Sequence, residues 1–178
     1  MFKRWQFWTV MTGITAMTLL LAIGFKLNPR LVQSPLVKKE APQWEVTTFN
    51  TGETLSLAAL KGTPVVLNFW ASWCEACKTE AHVLEAAHRK WGGDPKKFRV
   101  IGIAIQDKEE AARKFARRFG KTYSLALDNP AGDIALNYGL YGVPETFFID
   151  RDGIIAYKQI GAVTQALMEE WVPQMLEP

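Results

Sequence analysis

Residues 64–80 read Pro-Val-Val-Leu-Asn-Phe-Trp-Ala-Ser-Trp-Cys-Glu-Ala-Cys-Lys-Thr-Glu. The run from Val65 to Trp70 is apolar except for Asn68, and a short run of this kind predicts a strand buried on both faces, as in the middle of a parallel sheet. After it the apolar positions recur at helical spacing, which predicts a helix. Cys74 and Cys77, the only two cysteines of the chain, therefore lie where a buried strand gives way to a helix.

This location favours nucleophilic sulfur chemistry. The thiolate is the reactive form of cysteine, and the free N–H groups and dipole of a helix N-terminus stabilise it. Thiol pKa values at such sites fall to about 3.5–7.5 from about 8.5. We assign the attack to Cys74, at the mouth of the helix, and resolution of the mixed disulfide to Cys77, one turn further on the buried side.

A static disulfide or half of a zinc site would use the same two residues. A zinc site needs about four ligands, there is no second cysteine pair, and His82 and His88 are six residues apart on one helix and face different ways. Haem attachment requires a histidine directly after the second cysteine, where this chain has Lys78. A CxxC pair at a strand-to-helix junction is most specific for a redox-active disulfide, so we expect no metal and no other cofactor.

Charge is distributed unevenly along the chain. Of its 21 basic and 18 acidic residues, six basic side chains and one acid fall in residues 1–40. Residues 41–178 therefore hold 15 basic and 17 acidic groups, a net charge of −2. That balance does not indicate nucleic-acid binding.

Residues 1–30 are predicted to form a membrane anchor. No charged residue occurs from Trp5 to Phe25, and a helix of that length measures about 31 Å against about 30 Å for the bilayer core. A cleaved signal peptide is the alternative, with a possible cleavage site at Ala22-Ile23-Gly24, but the apolar stretch exceeds the usual signal length. Both alternatives place the following domain outside the cytoplasm.

Residues 31–43 are predicted to be a linker because they combine Pro35 and Pro42 with two lysines. The domain is then predicted to span residues 44–178. Its predicted strands are 44–49, 54–57, 65–70, 100–105, 124–127, a strand ending at 149, and 154–160. Its predicted helices follow Cys77, run through 107–119 and 134–138, and close the chain at 164–171.

Two details of these helices are specific predictions. Asp107 and Glu110 are expected to form a capping box, and Pro173 is expected to stop the last helix. The β-α-β order followed by a hairpin and a closing helix predicts an α/β domain, with a mixed sheet flanked by helices on both faces.

Two motifs carry a resemblance to a known family: Trp73-Cys74-Glu75-Ala76-Cys77 and Gly142-Val143-Pro144-Glu145-Thr146-Phe147. With them the domain resembles the thioredoxin-like fold, and more narrowly the membrane-anchored extracytoplasmic branch that contains the TlpA, ResA and DsbE/CcmG proteins, closest to DsbE/CcmG. The resemblance implies thiol–disulfide exchange. It further implies reduction of the haem-binding cysteines of apocytochrome c in cytochrome c biogenesis, with a membrane thiol transporter of the DsbD/CcdA kind as electron donor.

The resemblance also implies roles for individual residues. Pro144 would be a cis-proline facing the disulfide, Val143 would offer backbone hydrogen bonds to an extended substrate, and Trp73 and Glu145 would lie on the substrate side. Glu80 would tune the thiol pKa values and accept a proton, which a carboxylate near two thiols can do. The alternatives are an ordinary trans turn at Val143–Pro144, a core role for Trp73, a solvated Glu80 and a surface ion pair for Glu145.

The chain departs from the family pattern at Ala76, where a proline usually precedes the second cysteine. This departure bears on the reduction potential.

The resemblance places the protein in the inner membrane as a single-pass protein, with its catalytic domain on the periplasmic side. Two other functions stay open, a general extracytoplasmic oxidoreductase of the TlpA type and a copper-binding assembly factor, which would prefer a wider cysteine spacing and an added histidine.

Overall fold

The computed structural model of the protein describes residues 4–26 and 34–177. These residues form two compact units, which we describe separately. The first is one helix, α1, Arg4–Lys26. Its window Arg4–Ala22 has a mean hydropathy of 1.2 and is long and apolar enough to cross a membrane. The end of the predicted anchor and the start of the predicted linker, residues 27–33, lie outside the described residues.

The second unit begins at Ser34, well before the domain boundary expected at residue 44. The segment 34–43, expected to be linker, is hydrogen-bonded to the domain: Lys38 N–H donates to the Ile155 carbonyl (2.8 Å), and Ala41 N–H donates to the Gly153 carbonyl (2.8 Å). Ala41 is buried. This segment therefore belongs to the folded domain.

The domain alternates strands and helices in the predicted order. Its elements are β1 Glu45–Thr47, β2 Thr54–Ser56, a 3-10 turn Ala58–Leu60, β3 Val65–Trp70, α2 Glu75–Trp91, β4 Arg99–Ala104, α3 Glu109–Arg118, β5 Ser124–Leu127, α4 Asp133–Asn137, β6 Glu145–Ile149, β7 Ile155–Ile160 and α5 Gln165–Leu176.

The five-stranded sheet has the order β5-β4-β3-β6-β7, with β3 at its centre. Strand β3 is parallel to β4 and antiparallel to β6. All six of its side chains are buried, as expected for a central strand covered on both faces. The register sets Asn68 of β3 directly opposite Thr146 of β6.

Helices cover both faces of this sheet. On one face Val66 and Trp70 of β3 pack with residues of α2, α3 and α5, including Leu84, Phe115 and Val172. The other face carries a second cluster that contains residues of the β1–β2 hairpin and of α4. The predicted mixed sheet between helical layers is confirmed, and it fixes α2 directly after the central strand.

Two predicted details are wrong. Helix α3 begins after Lys108 without a side-chain cap, because both Asp107 carboxylate oxygens are taken up by Ser72. Helix α5 continues through Pro173 to Leu176. Val172 and Met175 are buried on its last turns, and burial of two such side chains, about 1.5–3 kcal/mol each, offsets the roughly 3 kcal/mol cost of an internal proline.

Candidate active site

Cys74 and Cys77 are joined in a disulfide at the start of α2. Cys74 is the N-cap residue in an extended conformation, and its Sγ accepts a hydrogen bond from the backbone N–H of Cys77 (3.1 Å). The free N–H groups at this end of a 17-residue helix favour negative charge on that sulfur. Cys74 retains 5% exposure and Cys77 only 1%, so the outer sulfur is the one expected to attack.

The loop before Cys74 is fixed by hydrogen bonds to two residues that follow β4, Gln106 and Asp107. The Asp107 carboxylate accepts hydrogen bonds from the Ser72 backbone N–H (2.5 Å) and hydroxyl (2.8 Å). The Trp73 indole N–H donates to the Gln106 carbonyl (3.1 Å), while the residue stays 60% exposed. Trp73 therefore stands at the surface beside the disulfide and is not a core aromatic residue.

A second loop approaches the disulfide from the start of β6. The Val143–Pro144 peptide bond is cis, as the resemblance implies. The Val143 carbonyl oxygen lies 3.6 Å from the Cys74 Sγ. Pro144 itself is buried. A backbone oxygen of this loop thus approaches the reactive sulfur.

An apolar groove of about 250 Å³ runs beside these two loops. Trp73, Val143, Leu136 and Tyr141 contribute to its lining. Leu136 and Tyr141 are each 72% exposed. Large exposed apolar side chains around a concave surface indicate a place where another chain binds.

Glu145 is not on the substrate side, nor in a surface ion pair. It is 1% exposed, and its Oε2 lies 2.7 Å from the ammonium of Lys158, which is also buried. Its Oε1 accepts hydrogen bonds from the backbone N–H groups of Tyr141 (2.8 Å) and Gly142 (3.3 Å). The expectation that Glu145 contacts substrate is corrected: the side chain holds the loop before Val143 from beneath.

Glu80 lies in the interior, one turn after Cys77 on α2. It is 1% exposed. Its Oε1 accepts a hydrogen bond from the Asn68 side-chain amide (2.8 Å), and its Oε2 accepts one from the Val163 N–H (3.0 Å). Burial raises the pKa of Glu80 to about 7, although both hydrogen bonds and the charge of Lys121 act in the opposite direction. A carboxyl group with this pKa can give and take a proton near neutral pH.

The side-chain amide of Asn68 can hydrogen-bond to Glu80 in either protonation state of the carboxyl group. Its Nδ2 donates to Glu80 and to the Thr146 hydroxyl (3.0 Å). Its Oδ1 is buried and has no hydrogen-bond partner among the described residues. A rotation of the amide would offer Oδ1 to a protonated Glu80, because the amide carries both a donor and an acceptor.

Three residues of this site are missing from the sequence predictions. Asp107 was assigned to a helix cap, whereas Lys121 and Lys158 resemble ordinary surface lysines in the sequence. Asn68, which hydrogen-bonds to Glu80, does leave a visible signal in the sequence, as the one amide within an apolar strand. Within the described residues no group of three or more His, Cys, Asp and Glu side chains could hold a metal ion. The chemistry that the site offers directly is sulfur exchange.

Comparison with known proteins gives the same result. Residues 37–158 match the model of the AhpC/TSA family. The thiol:disulfide interchange protein DsbE of Allochromatium vinosum is 36% identical over 160 residues, which covers 89% of this chain and 86% of that protein. DsbE of Escherichia coli is 32% identical over 152 residues, covering 84% and 79%.

Solved structures agree on the fold. A protein from Chlorobium tepidum assigned as thiol:disulfide interchange protein DsbE superimposes with a TM-score of 0.70 at 28% identity, covering 78% of this chain and 96% of that one. The thioredoxin domain of a thiol-disulfide oxidoreductase from Bacteroides vulgatus gives 0.71 at 22% identity, covering 81% and 100%. The domain has the thioredoxin-like fold.

Proposed function

This chain belongs to the AhpC/TSA family and, within it, to the DsbE thiol:disulfide interchange proteins, and from that premise we propose that it is an extracytoplasmic reductant of apocytochrome c. It is a thiol–disulfide oxidoreductase whose redox group is the Cys74–Cys77 pair. The direction of electron flow, the substrate and the cellular side are the parts that we propose.

The observation that carries the direction is the buried carboxyl group of Glu80 one helical turn from Cys77. A carboxylate near two thiols disfavours their ionisation by like-charge repulsion. An exchange protein is a strong oxidant when its reduced form is stabilised. By destabilising the thiolate, Glu80 favours the disulfide and makes the dithiol form the better reductant.

The reaction then proceeds in two exchanges. The Cys74 thiolate attacks a substrate disulfide, a mixed disulfide forms, and one substrate sulfur leaves as a thiolate. Cys77 gives its proton to Glu80 and attacks the Sγ of Cys74, which releases the second substrate thiolate. Two electrons have passed to the substrate, and the disulfide found in this structure is the product.

Recognition of the substrate is assigned to the groove and the two loops. An extended peptide can hydrogen-bond to the backbone at Val143, as in strand addition. Apolar side chains beside the substrate cysteine can pack against Trp73 and Tyr141, which are exposed.

We assign recharging of the disulfide to a membrane thiol transporter of the DsbD/CcdA kind. We further propose that α1 is an uncleaved single-pass anchor in the inner membrane, with the domain on the periplasmic side.

The reduction potential tests the proposed direction. The full-length protein in detergent is equilibrated with thiol–disulfide buffers, and the fraction of reduced Cys74–Cys77 is counted by thiol labelling. We expect a value near thioredoxin's, about −270 mV, while a value near about −120 mV belongs to an oxidant and would overturn the proposal.

The substrate is tested by competition. The reduced protein is offered two disulfide-bonded peptides, one with the Cys-x-x-Cys-His sequence of an apocytochrome and one with the same residues in scrambled order. Preferential reduction of the first supports the proposal. Equal rates indicate a general oxidoreductase of the TlpA type, and stoichiometric copper binding by the reduced protein without exchange indicates an assembly factor.

A further inference from the structure

Lys121 is a buried cation that the exchange reaction described above does not use. It follows the end of α3 and is 6% exposed. Its ammonium lies 3.5 Å from the centroid of the Trp70 ring and within 5.5 Å of the rings of Tyr123 and Phe115. Among the described residues, no carboxylate oxygen lies within 4.0 Å of it. Lysine is almost never buried without a partner, so ring faces alone leave this charge undercompensated.

The negative charge on the same face of the sheet is Glu80. Asn68 and Trp70 are two residues apart on β3 and point to the same face, about 7 Å from one another. Glu80 is bonded to Asn68, and Lys121 covers Trp70. Burial lowers the pKa of Lys121 to about 7, and the charge of Glu80 acts against that shift. The charge of Lys121 in turn lowers the pKa of Glu80.

Other titratable or charged groups face this pair from α2, α3 and the segment before β5: Glu85, His88, Arg89, Arg113, Arg117 and Tyr123. Glu85 is occupied by Arg89 (2.8 Å) and by the Thr122 N–H (2.8 Å) and hydroxyl (2.7 Å). Burial raises the pKa of Tyr123 well above its ordinary value, which keeps it neutral. Glu80 is therefore left as the anion that Lys121 balances.

On the outer side, Lys121 lines a surface cavity of about 380 Å³ together with Arg113 and Arg117. Arg113 is paired with Glu109 (2.7 Å). Arg117 is exposed to solvent. These two arginines add positive charge near Lys121, and positive charge cannot compensate the lysine ammonium. The favourable charge interaction of Lys121 is therefore the one with Glu80, on its inner side.

We propose that Lys121 is a positioning residue for the resolving step: its buried ammonium stabilises the ionised form of Glu80, which takes the proton of Cys77. The inference rests on the proposed role of Glu80 as proton acceptor. The proton moves from the Cys77 sulfur to a Glu80 oxygen, and the resulting thiolate breaks the mixed disulfide at Cys74. Lys121 touches neither sulfur and acts through Glu80 alone.

Loss of this cation has a defined sign. Without Lys121, the ionised form of Glu80 loses a favourable interaction, so its pKa rises. A neighbouring opposite charge lowers a carboxyl pKa by up to roughly one to three units, and Lys121 is the smallest of the influences that lower the pKa of Glu80. We therefore expect the pH midpoint of the resolving step to move upward by about one unit, which is about tenfold in the ratio of ionised to neutral Glu80 at a given pH.

Ellman's reagent separates the two steps. Reduced full-length protein in detergent releases one thionitrobenzoate when Cys74 attacks the reagent and a second when Cys77 resolves the mixed disulfide. The rate of the second release, followed by stopped-flow absorbance from pH 5 to 9, gives the midpoint. The variants are Lys121→Met, which removes the charge, and Lys121→Arg, which keeps it. Arg117→Met, which removes a charge from the same cavity but on the solvent side, is the matched control.

The inference predicts an upward shift of the midpoint in Lys121→Met, no shift in Lys121→Arg or Arg117→Met, and loss of the midpoint in Glu80→Gln with or without Lys121→Met. An unchanged midpoint in Lys121→Met, with the midpoint lost in Glu80→Gln, overturns the role of Lys121 and leaves that of Glu80 standing. A midpoint that survives Glu80→Gln overturns the role of Glu80 itself.

Coupling between two sites is reciprocal, which provides a test that needs no change at Lys121. Lysine labelled with ¹³C at Cε reports the titration of Lys121 by NMR in the wild type and in Glu80→Gln. We expect its midpoint to fall by about one pH unit in Glu80→Gln. If Lys121→Met does not fold, this measurement decides, and an unchanged Lys121 midpoint overturns the inference.

Discussion

Glu80→Gln changes how stability depends on pH, with a sign that follows from the burial of Glu80. The pKa of this carboxyl group is about 7 in the folded protein against the ordinary 4.5. A raised carboxyl pKa means that the folded state holds its proton while the unfolded chain has lost it. The stability that Glu80 contributes is therefore fully present below pH 4.5 and is lost as the pH rises to about 7.

The size of this change follows from the width of that window. The interval from 4.5 to about 7 spans roughly 2.5 pH units, and each is worth about 1.4 kcal/mol, so the loss is about 3 kcal/mol. Glu80 is 1% exposed, so solvent does not screen the effect. Above about pH 7 the free energy of unfolding is expected to rise again with pH. Burial lowers the pKa of Lys121 to about 7, so the folded protein loses this proton before the unfolded chain does.

Urea denaturation of the oxidised full-length protein in detergent, followed by tryptophan fluorescence, measures this difference. The free energy of unfolding of Glu80→Gln relative to wild type should increase by about 3 kcal/mol between pH 4.5 and 7. Glu75→Gln is the matched control, since it removes an exposed carboxylate from the first turn of the same helix. A wild-type-to-variant difference that stays level across this window would refute the assignment of a buried, protonated Glu80.

Two further predictions concern the sulfurs and the loop support. Cys77→Ser should accumulate mixed disulfides with substrate and Cys74→Ser should not, as seen on non-reducing gels; equal accumulation by both would contradict the order of attack. Lys158→Met should lower the free energy of unfolding by about 3–5 kcal/mol, because it leaves the Glu145 carboxylate buried without its partner. Adding Glu145→Gln should restore part of that loss, and a double variant no more stable than Lys158→Met would mean that the ion pair is not the cause.

The central part of the fold could be predicted from residues 64–80 because its determinants are local. A continuous apolar run predicts a buried strand, and β3 was found at the predicted residues, Val65–Trp70. The change from that run to helical spacing placed both cysteines at the start of α2. Errors arose where local patterns had two solutions: Asp107 had the spacing of a helix cap but binds Ser72 in another loop.

The burial of the charged residues of the site was harder to predict, because most charged side chains in a sequence lie at the protein surface in contact with water. Glu145 follows the cis-proline closely, yet only the pairing of β6 with β7 brings Lys158 to it and buries both. Segment 34–43 has the composition of a linker and still forms hydrogen bonds with the hairpin around Ile155. These contacts join residues that are far apart along the chain.

The sequence by itself determined the cysteine pair and its place at a strand-to-helix junction, because both depend on neighbours within a few residues. Only the tertiary structure decided the electrostatic environment of those sulfurs. It buried Glu80 against Asn68, brought Lys121 to the same face of β3 and buried Glu145 with Lys158. The energy of a charge depends on its distance from water and from other charges, and folding alone sets both.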